Sequence, residues 1–246
     1  MKTHQVISII ILLLLALSPG LVAQTAANQQ PFIPVSDSQA PGATNTIWLG
    51  PKYQTPAEKF DSIEKYPWKD VPRGKQTFGN VPLYIGGMIC TWGESNARSG
   101  LKFPEEVTGL RIGKNCEAIY FYHTAFSKSD EGTAIVQAVF RYKNNVSVTN
   151  DLCYGVHVRD WFLRRGDVET LKDAKSKMVW RGVNSTSRST PPSQLRFFIT
   201  ELVNQHPDVP LLYLDLYSTK QKSTYCLLAI TTGPAGLLKV EPQVQN

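Results

Sequence analysis

Aromatic residues beside planar polar side chains are the feature of this sequence that best predicts a chemistry. Sugars are bound by aromatic faces under their C–H-rich rings, and a few placed polar groups hold the hydroxyls. The residues that we predict for such a ligand-binding site lie near loops; they are Trp161, Trp180, Tyr154, Asp160, Arg159, Asn184 and Glu201. Each has an ordinary structural alternative, in which the ring packs in a core and the polar group caps backbone N–H groups.

Motifs for catalysis are sparse. The segment 93–97 (GESNA) lacks the second glycine of a G-x-S-x-G nucleophile elbow, and no H-E-x-x-H, phosphate-binding loop or dinucleotide fingerprint occurs. Glycoside hydrolysis needs two carboxylates a fixed distance apart across a cleft. The candidates are Asp151, Asp160, Glu201 and Asp215. Acidic residues on the solvent side of strands are their ordinary alternative, so we expect no catalytic residues.

One histidine, His123, is predicted to have a structural role, and the four cysteines leave alternatives open. His123 lies in a very apolar strand, which favours a core imidazole with a hydrogen-bond partner over a ligand or base. The cysteines are Cys90, Cys116, Cys153 and Cys226, without C-x-x-C or zinc spacing. Outside the cytosol they allow two disulfides in three connectivities, and free buried cysteines are the alternative. No cofactor is expected, and a structural calcium ion stays open.

The elements that must position these residues are strands. Residues 134–142 alternate with period two, and after Asn144-Asn145 the alternation resumes over residues 146–154. This pattern predicts an antiparallel hairpin, because asparagine tolerates the positive φ of tight turns. Residues 116–125 are apolar on both faces, as a central strand should be.

Further strand signals follow one another at fairly regular spacing from residue 78 onward. In addition to the hairpin, these signals lie at residues 78–92, 110–113, 116–125, 155–158, 178–180, 194–203, 211–218 and 224–232. About nine short strands with polar or Pro/Gly breaks, and no long amphipathic helix, predict an all-β antiparallel β-sandwich of the jelly-roll kind.

The N-terminal residues predict export. Lys2 precedes an apolar run over residues 6–17, and Ser18-Pro19-Gly20 and a small residue, Ala23, follow. This is the layout of a secretory signal peptide, residues 1–23, and the run is short of the ~20 residues of a membrane span. An uncleaved anchor is the competing interpretation. After cleavage no segment is long and apolar enough to span a membrane.

Domain boundaries follow from composition. We predict a disordered linker and extended lead-in over residues 24–77, a β-sandwich domain over 78–236 and a C-terminal tail over 237–246. One short helix is expected near residues 57–65. Without Lys2, 25 basic residues face 20 acidic ones, a scattered surplus of about +5. Nucleic-acid binding would need a denser basic stripe and is not expected.

A resemblance supports this fold. The runs that carry it include PEEVTGLRIGKNCEAIYFYHTA, GTAIVQAVFRYKN, VHVRDW and LRFFITELVNQHPDVPLLYLDLYS. They are similar to secreted bacterial modules with a galactose-binding-like jelly roll, which are found beside glycoside hydrolases and polysaccharide-directed proteins. The resemblance covers residues 78–232, with Asn144-Asn145 where Asp-Gly is usual. It rests mostly on strand and turn positions, so it implies the fold more than the ligand.

Three functions remain open from the sequence. The first is a secreted, non-catalytic carbohydrate-binding or envelope-associated module of the periplasm or cell surface, whose partner is a polysaccharide or glycan. The second is a protein-interaction or structural β-sandwich without a sugar site, whose partner is an envelope protein. The third is a glycoside hydrolase or lyase. An exposed line of Trp or Tyr beside polar residues would favour sugar binding, and an apolar patch rimmed by charge would favour a protein partner.

Overall fold

Antiparallel strands account for most of the regular structure in a computed structural model that describes residues 44–62, 68, 70–183, 187 and 193–239. The strands are β1 (Asn45–Ile47), β2 (Thr55–Pro56), β3 (Gly74–Phe78), β4 (Val81–Ile85), β5 (Gly87–Cys90), β6 (Glu106–Lys114), β7 (Ala118–Phe126), β8 (Ala134–Tyr142), β9 (Ser147–Cys153), β10 (Phe162–Arg164), β11 (Ser176–Gly182), β12 (Ser193–Val203), β13 (Leu211–Ser218) and β14 (Thr224–Gly233). The helices are short: two 3-10 helices, Gly50–Lys52 and Ala57–Ser62, and α1, Glu94–Arg98. The predicted signal peptide, residues 24–43 of the predicted linker, Asn184 and residues 240–246 of the predicted tail lie outside the described residues.

Two sheets form the body of the fold. The larger has the order β10-β12-β7-β14-β5-β2, with β1 also paired to β14 and β11 to β12. The smaller is the four-stranded sheet β6-β13-β8-β9, and β3 and β4 form a separate hairpin. These pairings are antiparallel and helix is scarce, which confirms the predicted all-β antiparallel sandwich. The jelly-roll and galactose-binding-like details stay a prediction.

Strand β7 is apolar on both faces because both faces are buried. It pairs with β12 on one side and β14 on the other, so it is central in the larger sheet. Phe121 on one face enters a core shared with the four-stranded sheet, where its ring lies 6.5 Å from that of Phe140. Tyr120 and Tyr122 on the other face enter a second core. Burying each large apolar side chain stabilises the fold by about 1.5–3 kcal/mol.

The second core is closed by residues that precede the predicted domain start at residue 78. Phe60 and Trp68 are buried in it beside side chains of the β3–β4 hairpin. Strand β1 pairs with β14, with Asn45 opposite Thr232. The described residues 44–77 therefore belong to the sandwich rather than to a linker, because their large apolar side chains are buried in both cores. The expected helix near residues 57–65 is the 3-10 helix Ala57–Ser62.

The start of the predicted tail is also packed. Leu237 and Leu238 lie against the second core, and the backbone N–H of Lys239 donates to the carbonyl of Gly79 at 2.9 Å. The boundary at residue 236 was thus placed too early. Two leucines are too few to show the periodicity of a strand or a helix, so the sequence does not predict that they are packed.

Strands β8 and β9 form the predicted antiparallel hairpin, with Arg141 opposite Ser147. Asn145 adopts a φ of 64° in the turn, and the N–H of Tyr142 donates to the carbonyl of Val146 at 3.0 Å. The Asn144 side chain accepts the N–H of Val146 at 3.2 Å. The asparagine pair therefore supplies both the left-handed backbone and the local hydrogen bond that close this corner.

The cysteines divide between the two alternatives left open by the sequence. Cys90 of β5 and Cys226 of β14 are opposite one another in register and form a disulfide. Cys116 is free and buried, and Cys153 is free and half-buried. Burial raises the pKa of Cys116 to about 11 and also raises that of Cys153. Neither free thiol is therefore activated for reaction at neutral pH.

Candidate functional site

Trp161, one of the aromatic residues predicted to bind a sugar, is a core residue. Trp161 is only 4% exposed, and its indole stacks on that of Trp68 with centroids 5.3 Å apart. The rings of Phe126 and Phe162 lie 5.3 and 4.5 Å away. A ring enclosed in this way offers no face to a ligand, so the prediction of Trp161 as a binding residue was wrong.

The polar residues next to Trp161 hold loops together. Asp160 is buried, and its carboxylate accepts the backbone N–H of Ser127 at 3.1 Å. Burial raises its pKa to about 6. The Arg159 guanidinium donates to the carbonyl of Thr170 at 2.7 Å and pairs with Glu131. The Asp160 carboxylate and the Arg159 guanidinium, which we predicted to bind sugar hydroxyls, therefore hydrogen-bond to groups of the protein itself.

The other predicted ligand-binding residues are also engaged within the fold. Tyr154 is buried in the core between the sheets. Glu201 is buried and accepts the backbone N–H of Gly236 at 3.0 Å, with the Lys175 ammonium 3.6 Å away. Trp180 is half-buried, with its ring 5.2 Å from that of Phe197. Asn184 lies outside the described residues. The predicted set thus does not converge on one surface.

A hydrogen-bonded chain through the core accounts for His123. Its imidazole contacts the Tyr225 hydroxyl at 3.1 Å and the Thr200 hydroxyl at 2.9 Å. Burial lowers the pKa of His123 to about 3, so the ring is neutral near pH 7. Thr200 also contacts the Ser176 hydroxyl at 2.8 Å. His123 is therefore a satisfied core residue, as its apolar strand predicts.

An exposed aromatic residue lies instead on the face of the four-stranded sheet that points away from the core. Tyr213 in the middle of β13 is 44% exposed. In register it faces Arg111 of β6 on one side and Arg141 of β8 on the other. Directly opposite residues in neighbouring strands have Cβ atoms about 4.5–5.5 Å apart. Arg111 and Arg141 therefore occupy the positions on either side of Tyr213 in this row of the sheet.

Asp215, two residues further along β13, organises this surface. One carboxylate oxygen accepts the N–H of Gly109 at 2.7 Å, at a bulge where Gly109 has a φ of 70°. The other accepts Nε of Arg141 at 2.8 Å and the Tyr217 hydroxyl at 3.4 Å. The hydrogen bond to Asp215 also raises the pKa of Arg141. Asp215 is buried, and both of its carboxylate oxygens accept hydrogen bonds, so it holds Arg141, Tyr217 and the β6 bulge in place.

A second row of polar side chains completes the surface. Tyr217 is opposite Gln137 of β8, whose side-chain amide donates to Asp151 of β9 at 3.1 Å. Tyr217 is four positions after Tyr213, which places the two residues about 13 Å apart along the strand. We call this surface the outer sheet face. Its members are Arg111, Gln137, Arg141, Asp151, Tyr213, Asp215 and Tyr217.

The sequence carried a signal for the outer sheet face that our site prediction did not use. Residues 211–218 (LLYLDLYS) are a predicted strand in which Tyr213, Asp215 and Tyr217 share one face by period two. Leucine at four of the eight positions hid the polar face. Which face points outward depends on the pairing with β6 and β8, which the local sequence does not specify.

Metal binding and membrane crossing find no support in the described part of the chain. None of the described His, Cys, Asp and Glu residues form a group of three that could hold a metal ion. No described helix is both long and apolar enough to pass through a membrane.

Comparisons with known proteins add no relative. No protein-family model matches the chain, no curated protein does, and no solved structure does. The function is therefore argued from the outer sheet face and the chemistry of its side chains.

Proposed function

We propose that this protein is a secreted, non-catalytic module that binds a carbohydrate of the cell envelope on the outer sheet face. The observation that carries the proposal is Tyr213, an exposed ring in the middle of a strand, bordered by hydrogen-bonding side chains. An aromatic face packs against the C–H groups of a sugar ring, and adjacent polar groups hold its hydroxyls. This combination is the one expected of a sugar-binding surface.

The polar groups of the outer sheet face are held in place before any ligand arrives. The Arg141 guanidinium donates to Asp215, to the Ser147 hydroxyl at 3.1 Å and to the Tyr217 hydroxyl at 3.2 Å. Its side chain is still 43% exposed. A side chain fixed in this way loses little conformational freedom on binding, and lower ordering cost means higher affinity. These contacts use one N–H each of Nε, Nη1 and Nη2. The second N–H of each terminal nitrogen can donate to a hydroxyl oxygen of a ligand.

A protein-interaction domain is the alternative function, and the composition of the outer sheet face weighs against it. The cores of protein interfaces are depleted of charged residues. Here Arg141 and Asp215 form an ion pair in the middle of the face, directly beside Tyr213. Burying that ion pair under a protein would carry a desolvation cost, whereas a hydrated glycan leaves much of it in water.

Three of the four carboxylates suggested for glycoside hydrolysis have buried structural partners, and the fourth, Asp151, accepts the Gln137 amide at 3.1 Å. Asp160 and Glu201 are buried and accept backbone N–H groups. Asp215 accepts Gly109 and Arg141. Retaining and inverting hydrolases need one carboxyl group to reach the glycosidic oxygen and a second on the other side of the bond. The contacts of these three carboxylates favour binding without cleavage.

The experiment that tests the proposal is a binding screen of the chain from residue 24 onward against polysaccharides, with product analysis of every mixture. We expect saturable binding without product. Tyr213→Ala should weaken it by about thirtyfold, since truncating an interface hot spot costs about 2 kcal/mol. Tyr84→Ala, which removes a half-buried tyrosine from strand β4, is the matched control. Equal binding by both variants and the wild type, or no binding to any polysaccharide, would refute the proposal.

A further inference from the structure

The charge around Tyr213 is unbalanced, which bears on the class of sugar. Three cations surround this part of the outer sheet face. Arg141 and Arg111 flank Tyr213 in register, and the Lys52 ammonium lies 3.9 Å from the position that a Cβ of Gly109 would occupy. The backbone N–H of Gly109 donates a hydrogen bond to the Asp215 carboxylate. The three cations and this one carboxylate thus belong to a single neighbourhood.

Only one of these cations is neutralised. Arg141 forms an ion pair with Asp215. Arg111 and Lys52 are exposed, and no carboxylate of the described residues forms an ion pair with either. Three positive charges against one negative charge leave a local surplus of +2 beside the exposed ring. Glu106 and Asp151 lie in the row of Tyr217 and Gln137, further along the strands from Tyr213.

We infer that the outer sheet face binds an acidic polysaccharide through a carboxylate on a sugar residue. This inference rests on the proposed function and names its substrate class. The ring of a uronic acid residue would pack on Tyr213, and its carboxylate would accept hydrogen bonds from Arg111. A guanidinium matches a carboxylate because its parallel N–H groups can donate to both oxygens. Lys52 adds a second positive charge on the same side of the sheet.

The test compares one polymer in two charge states. The full mature chain is titrated with polygalacturonate and with the same polymer in its methyl-esterified form, which keeps the sugar rings and removes the charge. We expect the acidic form to bind at least about tenfold more tightly, as loss of a charged hydrogen bond predicts. We also expect added salt to weaken binding of the acidic form much more than binding of the ester, because salt screens exposed charges.

Two matched variants locate the effect. Arg111→Gln removes the unpaired guanidinium and should reduce the preference for the acidic form about tenfold. Arg165→Gln makes the same charge change at an exposed residue just after β10 in the larger sheet, and it should leave the preference unchanged. An equal loss in both variants would mean nonspecific attraction to a basic protein and would overturn the inference.

The outcomes separate this inference from the proposed function. Equal affinity for the acidic and esterified forms, lost in Tyr213→Ala, would overturn the acidic preference and leave sugar binding intact. Binding that survives Tyr213→Ala but depends on Arg111 would overturn the stacking role, and with it the inference as stated. Absence of binding to either form, while a neutral polysaccharide binds in a Tyr213-dependent manner, would overturn the inference alone.

Discussion

Replacing Asp160 with asparagine tests the claim that this residue is a buried anchor and not a sugar ligand. Its carboxylate accepts the N–H of Ser127 in a loop where that residue has a φ of 70°. Asparagine has nearly the same shape and keeps one oxygen for this hydrogen bond, but it cannot carry a negative charge. The substitution therefore removes the charge and leaves most of the packing.

The magnitude follows from the pKa of Asp160, which burial raises from 3.8 to about 6. At about 1.4 kcal/mol per pKa unit the difference is worth about 3 kcal/mol. The folded protein binds this proton more tightly than the unfolded chain, so the contribution of Asp160 to stability falls as pH rises from about 4 to about 6. Above pH 6 the full cost of the buried charge is present.

Urea unfolding at pH 4 and pH 7, followed by tryptophan fluorescence, measures the free energy of unfolding of the wild type and Asp160→Asn. We expect the stability of the variant, relative to the wild type, to increase by about 2.4 kcal/mol between the two pH values, because the unfolded carboxyl is already partly ionised at pH 4. Other carboxylates titrate equally in both proteins and cancel in this difference. A relative stability that is independent of pH, or that decreases toward pH 7, would refute the assignment of a desolvated carboxylate.

Three further variants test the architecture. Trp161→Ala should lower the free energy of unfolding by about 3–5 kcal/mol, while the folded variant keeps its polysaccharide affinity; a selective loss of affinity at unchanged stability would restore Trp161 as a ligand-binding residue. Replacing Cys90 and Cys226 together with alanine opens a cross-link that spans 136 residues, which the chain-entropy model values at about 5 kcal/mol, and unchanged urea midpoints would contradict it. Gly109→Ala meets no close neighbour but must adopt a φ of 70°, so thermal unfolding should show a loss of about 1–2 kcal/mol; a neutral result would mean that the bulge relaxes.

The strands could be predicted because their signals are local. Residues 134–142 alternate with period two, and Asn145 supplies the positive φ of the turn. A side chain's direction in a strand depends only on its position in that strand. The predicted span of residues 211–218 coincides with β13 for the same reason.

The site could not be predicted in the same way because burial depends on distant partners. Trp161 and Tyr213 are both aromatic residues in or next to a strand, yet the first is enclosed and the second exposed. Trp161 is covered by Trp68, which is 93 residues earlier in the chain (161 minus 68), and no local pattern links the two. Composition alone predicts a lead-in over residues 24–77, so Trp68, which covers Trp161, lies outside the predicted domain.

The sequence by itself determined the all-β class, most of the longer strands and the central hairpin, since alternation and turn residues act over a few neighbours. Residues 155–158, which the sequence predicts as a strand, instead form a turn, and the predicted strand 78–92 is divided among β3, β4 and β5. Only the tertiary structure decided which face of each strand meets the core. The order β6-β13-β8-β9 places Arg111, Tyr213 and Arg141 in one row, although they are far apart in the chain. Sheet order arises from the burial of apolar surface summed over the whole domain, and it is that sum which leaves Tyr213 in water and encloses Trp161.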